Sequence, residues 1–196
     1  MSRTNILNTR TINYQELIGN GKAYRVPPYQ RDYSWSEEQW EDLWNDILEL
    51  RTRPDERHYM GALVVEGKSD REFLIIDGQQ RMATLSTLTL AVISKLRAMA
   101  ERGFESEANK ERAHELRNRF IGEKDPASLV ESSRLFLNET DNAFYQDYLE
   151  PVSKMDILGQ PSGHCFSRAA RKARKTRASA PEAIFRSCQF RLFTHF

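Results

Sequence analysis

A strand–turn–helix unit at residues 73–85 constrains the fold of this chain more than any other feature of its sequence. Residues 73–76 form an apolar run that predicts a buried strand, Asp77-Gly78 predicts a tight turn, and a helical pattern begins at Gln79. The start of a helix leaves backbone N–H groups unpaired, and the helix dipole favours negative charge there. The unit is therefore suited to binding a phosphate group.

Arg81 lies in the first turn of this predicted helix, where the dipole disfavours a cation. We therefore expect Arg81 to have an anionic partner, which is either a ligand or a carboxylate of the protein. Asp77 and Gln80 also have the spacing of a capping box, in which Asp77 accepts from the Gln80 N–H and the Gln80 side chain bonds back. The sequence leaves the cap and the ligand site open as interpretations, and the two are compatible.

Hydrophobic periodicity and turn residues predict helices and strands along the rest of the chain. The predicted helices cover residues 13–18, 36–50, 79–103, 105–119 and 140–149, and the predicted strands cover residues 22–26, 58–65, 72–76 and 133–137. Ser36 and Gln39 fit a capping box at the start of one helix, and the helix at 140–149 is also expected to be capped. Gly61, inside a predicted strand, indicates a bulge or the close approach of another group.

The segment from Tyr29 to Trp35 follows two prolines and is rich in aromatic and polar residues. Such a loop suits a recognition surface, because aromatic rings stack on bases while Arg and Gln bind phosphates or base edges. The alternative is that Tyr33 and Trp35 pack against the start of the next helix.

The length of 196 residues allows one domain with a hydrophobic core and an appended segment. No apolar run approaches the roughly 18 residues of a membrane span and the N-terminus has no signal-peptide core, so we expect a cytoplasmic protein without a membrane segment. The two cysteines and four histidines lack the spacing of zinc ligands.

The charge is unevenly distributed. Residues 159–196 hold eight basic residues and one acidic residue, a net charge of +7, whereas residues 1–158 hold 21 basic and 27 acidic residues, a net charge of −6. Two interpretations of this basic segment stay open. It is either a disordered tail that binds nucleic acid through phosphates, or the product of a frameshift or truncated gene that was never selected to fold.

Three segments in this order resemble a known bacterial family: Val26–Trp35 (VPPYQRDYSW), Tyr59–Val64 (YMGALV) and Ile76–Arg81 (IDGQQR). The chain resembles the N-terminal domain of GmrSD-type modification-dependent restriction enzymes, over about residues 10–155 and including Arg134–Asp141. The resemblance implies an α+β fold of the ParB/sulfiredoxin type, a small mixed sheet with packed helices and a helical C-terminal portion. We accordingly divide the chain into a nucleotide-binding domain at 1–104, a helical extension of it at 105–158 and the basic tail at 159–196.

The resemblance also implies a function, the binding and hydrolysis of a nucleoside triphosphate with Mg²⁺, coupled to the sensing of modified, typically phage, DNA. Asp77 would hold Mg²⁺ or orient water, and Arg81 would neutralise charge on the phosphoryl group. Backbone N–H groups from Gly78 to Gln80 would cradle phosphate oxygens, and Gln79 or Gln80 would position the attacking water. The segment Tyr29, Gln30 and Arg31 would close the same pocket or contact modified DNA.

Family members that cut DNA usually carry an HNH-type nuclease domain, and no such motif follows residue 155 here. We therefore expect this chain alone not to cleave DNA and to act with a separate nuclease domain or subunit, with homo-oligomer formation left open. Two alternatives remain: a ParB-like DNA-binding or adaptor module without turnover, and a truncated remnant without a function of its own.

Overall fold

The computed structural model of the chain describes residues 9–53, 55, 57–123, 133–143, 145, 146 and 149. The basic segment 159–196, on which two interpretations were left open, lies outside the described residues. The elements in chain order are α1 Tyr14–Ile18, β1 Ala23–Arg25, α2 Glu37–Thr52, β2 Val64–Gly67, β3 Glu72–Asp77, α3 Gln79–Glu101, α4 Ser106–Leu116, a π-helical turn Arg117–Ile121 and β4 Leu135–Phe136. A further helix, the C-terminal helix, begins at residue 139.

The four described strands form one mixed sheet in the order β2-β3-β1-β4. β2 and β3 pair antiparallel as the predicted hairpin, whereas β1 runs parallel to both β3 and β4. Parallel neighbours require crossover connections, and α2 and α3 lie on the chain between these strands. The prediction of an α+β fold with a small mixed sheet is therefore confirmed.

The hydrophobic core lies between this sheet and α3. Ile75 of β3 and Ile93 of α3 are fully buried, and Leu90 and Tyr24 are nearly so. The Tyr24 hydroxyl donates to the Leu17 carbonyl at 2.8 Å, which ties α1 to the central strand. Apolar residues recur at helical spacing along α3, so burial of this face stabilises both the helix and the sheet beneath it.

Arg134 joins the C-terminal part of the described chain to this core. It is buried, and its guanidinium donates to the Ile18 carbonyl at 2.9 Å and to the Asn118 carbonyl at 3.0 Å. Its Nη2 also lies 2.6 Å from a carboxylate oxygen of Glu123. These bonds hold β4 and the residues after it against α1 and the π-helical turn.

The capping box predicted at the start of α2 is confirmed, with the Ser36 N–H donating to Oε1 of Gln39 at 2.7 Å. The C-terminal helix begins at residue 139, one residue earlier than predicted. Its cap is Asn138, whose Oδ1 accepts from the Asp141 N–H at 3.0 Å.

The predicted strand at 58–65 is wrong over residues 58–63, since β2 begins only at Val64. Gly61 has a φ of +87°, which turns the chain out of an extended conformation. The carbonyls of Met60 and Ala62 on either side accept from Arg81 instead of from a neighbouring strand. A tertiary contact thus replaces the sheet ladder that the apolar pattern predicts.

No helix in the described part of the chain is both long enough and apolar enough to cross a bilayer.

Candidate functional site

The turn between β3 and α3 places Asp77 and Gly78 at the start of the long helix. Gly78 is the N-cap residue and has a φ of +95°, and a Cβ at this position would lie 2.7 Å from Cδ1 of Leu63. The first hydrogen bond of α3 runs from Met82 N–H to the Gly78 carbonyl at 3.1 Å, so the N–H groups of residues 79–81 have no acceptor within the helix. The Asp77 side chain is 70% exposed. The turn therefore has free donors beside an accessible carboxylate.

Of the two interpretations left open for Asp77 and Gln80, the capping box is wrong, because Gly78 and not Asp77 occupies the N-cap. The Gln80 side chain instead bonds to the loop before α2. Its Oε1 accepts from the Ser34 N–H at 2.8 Å and its Nε2 donates to the Asp32 carbonyl at 3.2 Å. Gln80 is buried, and both ends of its amide hold residues 27–35, which we call the aromatic loop.

Arg81 binds two backbone carbonyls. Its Nη1 donates to Met60 at 2.9 Å and its Nη2 to Ala62 at 2.6 Å. The nearest carboxylate oxygen described for it, Oδ2 of Asp77, is 3.9 Å from Nη2, a long ion pair. Carbonyl dipoles orient the guanidinium without cancelling its charge, and about a quarter of the side chain is exposed. A cation at the positive end of a helix dipole thus has only weak compensation from the protein.

Gly61 makes this arrangement of Arg81 possible. A Cβ on residue 61 would lie 1.8 Å from Arg81 Nη1, well inside contact distance. The prediction that Gly61 marks the close approach of another group is confirmed, and the group is the Arg81 guanidinium.

The aromatic loop is anchored to the same turn from the other side. Gln30 Nε2 donates to the carbonyl of Ile76, the residue before Asp77, at 2.9 Å. Tyr33 is buried, with its hydroxyl 2.7 Å from Thr84 Oγ1 and accepting from Trp40 Nε1 at 2.8 Å. Tyr33 thus packs at the start of α2, as one of the two interpretations predicted. Tyr29 is 76% exposed and remains available for recognition.

A small pocket lies between the aromatic loop, the first turns of α3 and the C-terminal helix. Its lining residues are Val26, Arg31, Tyr33, Gln79, Gln80, Ala83, Leu137, Asn138 and Asp141. Its enclosed space is about that of one water molecule, far below the roughly 300–1,000 Å³ of pockets that enclose a drug-sized ligand. A whole nucleotide therefore does not fit inside this pocket.

Asp141 is a buried acid in this pocket that the sequence analysis did not select. Its Oδ2 accepts from the Tyr33 N–H at 2.7 Å. Burial raises the pKa of the Asp141 carboxyl above its ordinary value, the Tyr33 N–H opposes this rise, and the nearby Asp32 carboxylate adds to it. Its position inside the resembling segment 134–141 was the one sequence signal that pointed to it.

The structure divides the predicted site residues into two adjoining groups. Asp77, Gly78 and Arg81 lie at the β3–α3 turn, whereas Arg31, Gln79 and Gln80 line the pocket. Among the described residues, no three His, Cys, Asp or Glu side chains cluster as a metal site. A lone accessible carboxylate at Asp77 still fits Mg²⁺, which is commonly held by one or two carboxylates together with substrate phosphates.

The family model for the GmrSD restriction endonuclease N-terminal domain matches residues 14–189 of the chain. No curated protein matches the sequence. The matched range contains the β3–α3 turn, the aromatic loop and the pocket, and it continues beyond residue 155, where the motif resemblance ends.

Proposed function

The chain belongs to the family of GmrSD restriction endonuclease N-terminal domains, and from this premise we propose that it is the nucleotide-binding and nucleotide-hydrolysing sensor of a modification-dependent restriction system. One observation carries the proposal: Arg81 is hydrogen-bonded at the start of α3 to two backbone carbonyls, with only the long Asp77 ion pair to offset its charge, beside unpaired N–H groups. A triphosphate supplies the negative charge that this arrangement lacks.

The phosphate group would lie at the N-terminus of α3. The N–H groups of residues 79–81 would donate to its oxygens, and the absence of a side chain at Gly78 allows the backbone to come close. Arg81 would add a charged donor whose direction is already set by Met60 and Ala62, so little reorganisation accompanies binding.

Asp77 would hold Mg²⁺ together with phosphate oxygens. The carboxylate is at the end of β3 and largely exposed, so it is accessible to a hydrated ion. The ion would supply charge neutralisation on the phosphates.

The aromatic loop would contact DNA. Tyr29 is exposed for stacking on a base, and Arg31 is an exposed cation for a phosphate. Because Gln30 and Gln80 bond this loop to β3 and α3, a displacement of the loop by DNA would reach the nucleotide site directly. Cleavage of DNA would then belong to a separate nuclease domain or subunit.

Calorimetric titration of the full chain with Mg²⁺ and ATP, GTP, CTP or UTP tests the nucleotide site. We expect micromolar binding of at least one nucleotide, a free energy of about −8 kcal/mol. Arg81→Ala should weaken it by about 1.5–3 kcal/mol, the typical contribution of a hydrogen bond to a charged group. The matched control is Arg112→Ala, because Arg112 lies on α4 and bonds to Glu105 at 2.7 Å, away from the turn.

A folded wild-type chain that binds none of the four nucleotides would refute the proposal. Binding without turnover would instead support the adaptor alternative, in which the nucleotide acts only as a switch.

A further inference from the structure

Gln79 is a buried polar side chain without a described partner. It is 8% exposed, lines the pocket, and makes no side-chain hydrogen bond to any residue that the structure describes. The amide atoms of Gln79 are not sealed from solvent, so the side chain is available to a water molecule in the pocket. The neighbouring Gln80, by contrast, bonds to the aromatic loop through both ends of its amide.

Asp141 presents a second incompletely bonded group to the same pocket. Its Oδ2 accepts from Tyr33 N–H at 2.7 Å, whereas its Oδ1 has no donor among the described residues. Asp141 as a residue is only 6% exposed, and its backbone N–H donates to Oδ1 of the capping Asn138. One oxygen is therefore fixed by the backbone and the other is available.

Most of the other polar groups of the pocket are bonded within the protein, whereas the exposed Arg31 has no bond to a described residue. Asn138 Nδ2 donates to Asp32 Oδ1 at 2.6 Å and its Oδ1 accepts from Asp141 N–H. The Tyr33 hydroxyl bonds to Thr84 and Trp40. Apolar side chains of Val26, Ala83 and Leu137 complete the wall. The enclosed part of the pocket has room for about one water molecule.

We infer that this pocket holds the water that attacks the γ-phosphoryl group, with Gln79 orienting that water and Asp141 acting as its general base. The inference rests on the proposed function of nucleotide hydrolysis. Gln79 is the first residue of α3, so its side chain extends into the pocket from the same helix end at which the phosphate is proposed to bind. Asp77 is left to the metal ion, and the base is a residue from the other end of the described chain.

Hydrolysis would transfer the γ-phosphoryl group from the nucleotide to the bound water. The water oxygen forms a bond to the γ-phosphorus, and the bond from that phosphorus to the bridging oxygen breaks, with its electron pair leaving on the nucleoside diphosphate. The water proton passes to Asp141 Oδ1 and then to solvent, which regenerates the carboxylate. The products are a nucleoside diphosphate, inorganic phosphate and one proton.

The charges around Asp141 favour this role. Arg31 and Asp32 are the ionisable residues of the aromatic loop at the pocket, whereas α3 contributes only the uncharged Gln79 and Gln80. Burial raises the pKa of Asp141, which makes the carboxylate a stronger base than an exposed aspartate. Because the ionised form is the base, turnover should increase as the pH rises through that raised pKa.

Turnover and binding measured on Asp141→Asn test the inference. An asparagine Oδ1 can still accept from Tyr33 N–H, so the fold is retained while the base is lost. We expect kcat to fall about 100- to 10,000-fold, with KM and the calorimetric Kd within about twofold, and the acid limb of the pH profile to disappear. Glu139→Gln, at an exposed acid on the same helix, is the matched control and should keep wild-type turnover.

Gln79→Met provides a second, independent variant. If Gln79 serves only the bound water, an apolar side chain of similar length should leave the melting temperature unchanged or higher while kcat falls at least about tenfold. A structural role would instead lower the melting temperature. If Asp141→Asn does not fold, the kcat and melting temperature of Gln79→Met test whether the pocket holds the attacking water.

The outcomes separate the two proposals. A wild-type chain that binds no nucleotide refutes the proposed function and this inference together. Nucleotide hydrolysis that persists at the wild-type kcat in Asp141→Asn refutes the inference alone.

Discussion

Replacement of Gly61 by alanine should disrupt the site through Arg81. The new Cβ would be 1.8 Å from Arg81 Nη1, so this nitrogen must move away and give up its bond to the Met60 carbonyl. Each hydrogen bond to a charged group contributes about 1.5–3 kcal/mol. An alanine at a φ of +87° adds strain of about 1–2 kcal/mol. We expect Gly61→Ala to lower the free energy of unfolding by about 2.5–5 kcal/mol, from these two terms with one bond lost.

Gly21→Ala is the matched control for the strain. Gly21 has a φ of +74° and nothing lies within 4 Å of a Cβ placed there. This variant should therefore show the strain of about 1–2 kcal/mol alone. Urea denaturation gives the free energy of unfolding of each variant, and the difference between the two variants measures the effect of displacing Arg81.

The same pair of variants in an Arg81→Ala background completes the test. Once the guanidinium is absent, Gly61→Ala should cost no more than Gly21→Ala, because nothing remains for the Cβ to displace. Nucleotide affinity should show the same dependence on Arg81. Gly61→Ala should weaken nucleotide binding about as much as Arg81→Ala does, and the double variant should bind no more weakly than Arg81→Ala alone. This reasoning would be contradicted if Gly61→Ala and Gly21→Ala lowered the free energy of unfolding equally in the wild-type background. It would also be contradicted if Gly61→Ala were still the more destabilising of the two in the Arg81→Ala background.

Two further predictions concern the pocket. Gln80→Ala leaves the Ser34 N–H and the Asp32 carbonyl without their partner, so it should lower the free energy of unfolding in urea by about 1–3 kcal/mol. Hydrogen exchange of the backbone amides at residues 32–34 should become faster. Unchanged exchange there would show that the Gln80 side chain does not hold the aromatic loop. The raised pKa of Asp141 means that its contribution to stability is present below the ordinary aspartate pKa and is lost as pH rises through the raised value. The stability of Asp141→Asn relative to wild type should therefore increase between acid and neutral pH, and a constant difference across that range would contradict the burial of the ionised carboxyl.

Local patterns predicted the regular elements well. The capping box of Ser36 and Gln39 and the apolar stripe of α3 depend on residues within a few positions of each other, so the sequence contains the whole interaction. The strand predicted over residues 58–63 failed because Gly61 and its neighbouring carbonyls are bound by Arg81, about twenty residues later in the chain. Asp141 was missed for the same reason, since its contact with Tyr33 spans 108 residues.

The capping box expected of Asp77 and Gln80 failed for a different reason. A glycine with positive φ can itself end the strand and occupy the N-cap, so neither the Asp77 nor the Gln80 side chain has a capping role. Spacing alone does not distinguish the two starts, because both place a polar residue near the N-cap. The predicted phosphate-binding geometry is unaffected, since the unpaired N–H groups belong to the helix start in either register.

The first turn of α3 directs three consecutive polar residues to three different parts of the molecule. Successive residues of a helix are about 100° apart, so Gln80 reaches the aromatic loop, Arg81 reaches the turn at Gly61, and Gln79 reaches the pocket beside Asp141. Two of the three hold the fold together, and a substitution at either should lower stability and activity at once. Gln79 alone has no described bond to lose. Its substitution is therefore the one change in this turn that separates loss of chemistry from loss of structure.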